Sequence, residues 1–210
     1  RRVLAGVAGG CFAITALLAV IYHGGRIASG VDEAVSSAIT HAFAGHDRLL
    51  HAALIPTDPP VVYTAIAITV VVAILDRRPA LAALAIVGPA LSIGLTEALK
   101  PLVDRRYTGQ LSMPSGHTSG TVSVLAVLVL YACVRVATRW RVLALVLTVG
   151  VSIAAMAALV GMHYHYPTDT IAGAALSIGV VCAAAPAMES ATRFVSTRVS
   201  GVRASTRDTE

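Results

Sequence analysis

Long apolar runs alternate with short polar connections along this chain, and the runs set its architecture. Six stand out: Val3–Tyr22, Val61–Leu75, Ala80–Leu99, Thr118–Val134, Val142–Met162 and Thr168–Met188. A helix needs about 20 residues to cross a hydrocarbon core. The second run is short by that measure, and Pro59-Pro60 punctuates its start. Backbone facing lipid must satisfy its own hydrogen bonds, so the runs are predicted to be continuous helices. The pattern therefore predicts an all-α integral membrane bundle of six transmembrane helices over residues 1–188. A polar tail rich in Ser, Thr and Arg follows over 189–210 and is expected to end in disorder.

The stretch between the first two runs mixes apolar and polar residues. Val31, Val35, Ile39, Phe43 and Leu50 are predicted to form the apolar stripe of helices lying on the outer surface of the membrane. His41, His46 and His51 recur every five residues, which does not place them on one helical face. They read as solvated side chains rather than ligands.

Composition excludes a soluble domain. Hydrophobic residues make up 56% of the chain and charged ones 13%, and mean hydropathy is +0.78. Soluble domains carry roughly a quarter charged residues. The cysteines Cys11, Cys133 and Cys182 each sit inside an apolar run and are expected to be buried thiols. Partners are expected to be membrane lipids, with no nucleic acid.

Charge sets a direction. If the spans alternate, Arg1, Arg2, Arg77, Arg78, Arg135, Arg139, Arg141, Arg193, Arg198, Arg203 and Arg207 share one side. Arg26, Arg48, Lys100, Arg105 and Arg106 share the other. The positive-inside rule then puts both termini in the cytoplasm. Trp140 fits an inner interfacial anchor, and Tyr22 and Tyr63 outer ones. Reading the first run as a signal peptide would leave an odd number of spans and disturb this alternation.

Three elements on the outer side carry chemistry. Lys100 ends the third span, with Glu97 one turn earlier to keep its ammonium charged and aimed. Pro114-Ser115-Gly116-His117 opens the fourth span. There the free N–H groups and helix dipole favour an anion, Gly116 permits close backbone approach, Ser115 adds a hydroxyl, and His117 can protonate a leaving oxygen. His165 and Asp169 lie four apart at the start of the sixth span. A carboxylate on one ring nitrogen fixes the tautomer and leaves the other free to attack, and Asp169 also fits an N-cap. His163 and Tyr164 are expected at the rim of the site.

These blocks resemble the type 2 phosphatidic acid phosphatase superfamily, whose signature is Lys-x6-Arg-Pro, Pro-Ser-Gly-His and Ser-Arg-x5-His-x3-Asp. Order, sidedness and the six-span layout agree over roughly Ala80–Ala174. The resemblance implies a cofactor-free, metal-independent lipid phosphatase with a phosphohistidine intermediate. In it His165 is the nucleophile, Asp169 its orienting partner, and His117 first acid and then base. Lys100, Ser115 and Gly116 hold the phosphate. Tyr107, Thr108 and Leu159 stand where the family has arginine, proline and arginine. Arg105 and Arg106 are the nearest substitutes for the clamp, with His163 a weaker one. Losing an oxyanion donor without replacement costs about 10²–10³ in rate.

The expected protein is thus a bacterial plasma-membrane enzyme with an extracytoplasmic site for a lipid phosphate. Polyprenyl diphosphate is favoured; phosphatidate and phosphatidylglycerol phosphate also fit. The alternatives are a non-catalytic lipid-binding or transport protein of the same fold, and a metal-dependent hydrolase using His117, His163, His165 and Asp169.

Overall fold

The computed structural model describes the backbone of residues 1–207 and the side chains of residues 1–192. The helices are α1 (Arg2–Ile21), α2 (Gly30–Ala42), α3 (Asp47–Leu54), α4 (Pro59–Leu75), α5 (Pro79–Val103), α6 (Gly116–Arg135), α7 (Thr138–Gly161) and α8 (Pro167–Arg207). A 3-10 turn, Ile55–Thr57, joins α3 to α4. A hairpin of β1 (Arg106–Tyr107) and β2 (Gln110–Leu111) sits between α5 and α6.

Five helices are long and apolar enough to cross a membrane: α1, α5, α6, α7 and the Pro167–Thr192 part of α8. α4, with 17 residues, is too short to qualify alone and makes a sixth span only together with the segment before it. Its partner segment Asp47–Thr57 meets it at a bend of 47°, where Pro59 offers no N–H to prolong the preceding turn. The chain is an all-α integral membrane protein. Its α7 shows why: Leu145, Val146 and Ile153 face outward at 50%, 60% and 61% exposure, a surface that only lipid covers without penalty.

α8 is the central post, packed against α1, α5 and α6. Leu84, Ala85, Val127 and Val181 form a dry cluster between α5, α6 and α8. Small residues bring the helices close. A Cβ at Gly88 would lie 3.2 Å from Val181 Cγ2, and one at Gly179 would lie 2.9 Å from Phe12 Cε1. Hydroxyls then stitch the contacts: Thr96 donates to Ser119 Oγ at 2.8 Å, and Ser177 donates to Ser119 O at 3.0 Å. At the other end of the bundle, Asp76 accepts from the Tyr131 hydroxyl and pairs with Arg135 at 3.0 Å.

Several sequence expectations need correction. α8 continues unbroken past Met188 as far as Arg207. The final part of the expected disordered tail, residues 208–210, lies outside the described residues, as do the side chains of its arginines. Two of the five residues of the predicted surface stripe pack on α7: Ile39 and Leu50 close on Gly161, whose added Cβ would meet them at 3.3 and 3.1 Å. Val31 and Val35 instead stay exposed. Cys133 is exposed, whereas Cys182 is buried. Tyr22 is no interfacial anchor, because its ring lies beneath the Arg105 guanidinium.

Gly173 offers the sharpest test of this packing. A Cβ there would sit 2.6 Å from Ser115 O, and inserted methyl groups in packed cores cost about 1–3 kcal/mol. Gly173→Ala is expected to lower the melting midpoint in detergent, and Gly150→Ala, which meets open space, is expected not to.

Candidate active site

One end of the bundle gathers the C-terminal turn of α5 and the first turns of α6 and α8. α5 runs one turn beyond its expected end, so Lys100 lies within its last turn. Lys100 Nζ is 2.7 Å from Glu97 Oε1, and the pair leans on Gly116. A Cβ at that position would come 3.2 Å from Glu97 Oε1 and 3.5 Å from Lys100 Nζ. Glycine here is what lets the ammonium reach the start of α6.

Ser115 caps α6. Its hydroxyl accepts from Thr118 N–H at 3.4 Å and from the Thr118 hydroxyl at 3.1 Å, and the side chain is fully buried. Ser115 therefore does not line the cavity beside it, and its oxygen serves the cap of α6. Gly116 and His117 do reach the surface of a cavity of about 330 Å³, which they share with Lys100, His163 and His165. The His117 and His165 ring centroids stand 6.0 Å apart.

Asp169 sits in the first turn of α8, which begins at Pro167. Its Oδ2 accepts from Tyr166 N–H at 3.2 Å, so it closes back on the cap residue instead of being the cap itself. The same oxygen lies 3.8 Å from His165 Nδ1, beyond hydrogen-bond range, and that ring nitrogen is buried without a partner. A backbone bond from Ser115 N–H to Asp169 O at 3.0 Å locks the starts of α6 and α8 together.

The expected phosphate clamp takes a different form. Arg105 is fully buried. Its Nη1 donates to Asp169 Oδ1 and to the Thr168 hydroxyl, both at 2.6 Å, and its Nη2 donates to Asp32 Oδ2 at 2.5 Å. The rings of Tyr22 and Tyr166 flank it at 4.2 and 4.4 Å, a favourable cation–π setting. Arg106 is exposed, pairs with Asp104 at 3.2 Å and donates to Gly109 O. Neither arginine lines the cavity; the charge of one is consumed inside and that of the other outside. Tyr107, Thr108 and Gln110 of the hairpin line it in their place.

Asp32 escaped the sequence reading. It belongs to a capping box, accepting from Ser29 N–H while Asp32 N–H donates to Ser29 Oγ. The pattern Ser29-x-x-Asp32 announces that box but says nothing of burial. Asp32 also accepts from Thr168 N–H and the Thr168 hydroxyl at 3.1 and 2.8 Å. Burial pushes its carboxyl up, and the bonds from Thr168 and Ser29 outweigh that to hold it below the usual range. Among the described residues, no three His, Cys, Asp or Glu side chains are grouped to hold a metal ion.

The PAP2 superfamily profile matches residues 94–193, a span that contains Lys100, the Pro114–His117 turn, His165 and Asp169. Residues 94–193 thus match the PAP2 superfamily. The chain's fold also matches that of the first transmembrane PAP2 type phosphatidylglycerolphosphate phosphatase from Bacillus subtilis, with a TM-score of 0.70. That match covers 84% of this chain and 93% of the other at 14% identity, so the likeness is one of fold. No curated protein sequence matches the chain significantly. In this fold the inward turn of Arg105 leaves Lys100 as the one Lys or Arg among the described residues lining the cavity.

Removing one partner of a buried ion pair costs about 3–5 kcal/mol. Arg105→Ala is thus expected to lower the melting midpoint sharply, and Arg106→Ala, on an exposed pair, to leave it near wild type. Equal midpoints for the two would contradict the burial of Arg105.

Proposed function

We propose that this PAP2 protein is a lipid phosphatase that passes a phosphoryl group through His165. The observation that carries the reading is the pair of imidazoles, 6.0 Å apart across one cavity, with the Lys100 ammonium on its wall. That gap suits a phosphoryl group held between nucleophile and acid. His165 Nε2 attacks phosphorus, the bond from phosphorus to the leaving oxygen breaks, and His117 gives that oxygen its proton. Water then attacks the phosphohistidine, the P–N bond breaks, and His117 takes the water proton. Asp169 orients His165 through the Nδ1 side of the ring. Lys100 and the N–H groups at the start of α6 hold the phosphate oxygens, with no metal ion required.

A second, apolar cavity of about 210 Å³ supports a lipid substrate. Val62, Tyr63 and Ile93 line it, and it shares Lys100, Gly116 and His117 with the first. A phosphate at the histidines thus has an apolar slot beside it for the first carbons of a tail. The charge alternation supports an extracytoplasmic site and both termini in the cytoplasm. Polyprenyl diphosphate is the favoured substrate, with phosphatidate and phosphatidylglycerol phosphate next. One observation favours a non-catalytic lipid-binding protein instead: no guanidinium among the described residues lines the cavity.

Purified protein, offered polyprenyl diphosphate, phosphatidate, phosphatidylglycerol phosphate and a soluble phosphomonoester, is expected to release phosphate from the lipids. Release is expected to persist in chelator, to be inhibited by vanadate and to vanish in His165→Ala. Undiminished turnover in His165→Ala removes the nucleophile assignment, and no release from any lipid leaves the binding-protein reading.

A further inference from the structure

The mechanism above uses Asp169 but leaves two buried charges unexplained. Asp32, Arg105 and Asp169 are each fully buried and form one chain, with contacts of 2.5 Å and 2.6 Å on either side of the guanidinium. Ionised, they sum to a single net negative charge. Without Asp32, Arg105 would neutralise Asp169 outright. Asp32 comes from α2, outside the six spans, and makes no contact with the cavity.

The orphaned Nδ1 of His165 makes this charge count matter. It is buried, unpartnered and 3.8 Å from Asp169 Oδ2. At that separation the ring senses the charge on the carboxylate rather than a formed hydrogen bond. Other charged or titratable groups near the ring are His117 of α6, Lys100 and Glu97 of α5, and His163 and Tyr107 on the rim. Glu97 already offsets Lys100 at 2.7 Å, so the buried triad supplies the unbalanced charge on the Nδ1 side.

We propose that Asp32 is a positioning residue for the reaction: by neutralising Arg105 it leaves Asp169 a full negative charge, which holds the proton on His165 Nδ1 and frees Nε2 for attack. The claim rests on the phosphatase reading for its kinetic half and on the triad geometry alone for its structural half. Arg105 is then the strut that fixes where the carboxylate sits, and Asp32 the counter-charge that keeps it effective.

The test reads the full-length protein in detergent in two ways. One is kcat and KM on short-chain phosphatidate. The other is the ¹⁵N spectrum of His165 at alkaline pH, where imidazoles are neutral and the Nδ1–H and Nε2–H tautomers are distinct. Asp32→Asn is expected to shift the tautomer away from Nδ1–H. It should lower kcat about tenfold, as for lost outer partners of a working histidine, with KM little changed. Asp32→Asn combined with Arg105→Gln restores the single negative charge, so both readings are expected to recover relative to Asp32→Asn alone. A purely structural role for the triad predicts the opposite, a further loss. Ser29→Ala removes the other half of the capping box without touching charge and is expected to match wild type in both. The proposal is overturned if Asp32→Asn and Ser29→Ala behave alike, or if the double variant recovers nothing. Should the double variant not fold, the comparison with Ser29→Ala decides alone. A wild-type protein that hydrolyses no lipid phosphate sinks the phosphatase reading, while the nitrogen spectrum still judges the charge account.

Discussion

A single guanidinium, shut away from solvent between two carboxylates, holds the functional end of this molecule in register. Arg105 has no exposed surface, and a charge in that setting carries a desolvation penalty of several kcal/mol. Asp32 and Asp169 offset it only at contact distance, with the faces of Tyr22 and Tyr166 closing the remaining sides. Three parts of the chain are joined by this: the first turn of α2, the residue leading into β1, and the first turn of α8. Asp169 cannot shift toward His165 without disturbing Arg105, and Arg105 cannot shift without stranding Asp32.

The spacing of the imidazoles follows from backbone contacts built on that anchor. Ser115 N–H bonds to Asp169 O, so the start of α6 is fixed against the start of α8, and His117 follows from the one as His165 does from the other. Gly173 brings the two helices near enough for that bond, since a methyl group there would overlap Ser115 O. Gly116 does the same for α5 by letting Glu97 and Lys100 lie against the turn. Two glycines and one backbone hydrogen bond therefore set the width of the cavity.

Much of this was legible in the sequence, and the illegible part has a physical reason. The spans could be read because hydrophobic length and proline punctuation are local signals; the weak second run is the short helix α4 behind a bend at Pro59, a span only when joined to the segment before it. Lys100, His117, His165 and Asp169 could be grouped because each sits at a span end on one side of the alternation. The direction of Arg105 could not be read. Its partner Asp32 lies 73 positions away, in a helix whose local pattern states only that it has a cap. The capping role of Ser115 was hidden for a related reason: a serine at a helix start offers its oxygen equally to a ligand or to the helix's own N–H groups, and here the helix takes it.

The inward arginine and the sparse cavity are one fact seen from two sides. A guanidinium that neutralises buried carboxylates cannot also grip phosphate oxygens, and the hairpin fills the vacated wall with Tyr107, Thr108 and Gln110. Neutral donors give roughly half the strength of charge-assisted ones. A transferring phosphoryl group spreads its charge over three equatorial oxygens. In the proposed reaction this cavity meets them with one ammonium, already shared with Glu97, and with the partial positive charge at the start of α6. Less of the barrier can then be lowered by clamping the phosphate, and more must come from the nucleophile's side. There the net negative charge behind Asp169 favours the cationic phosphoimidazole as it forms. In the proposed reaction the guanidinium acts through the histidine rather than on the phosphate.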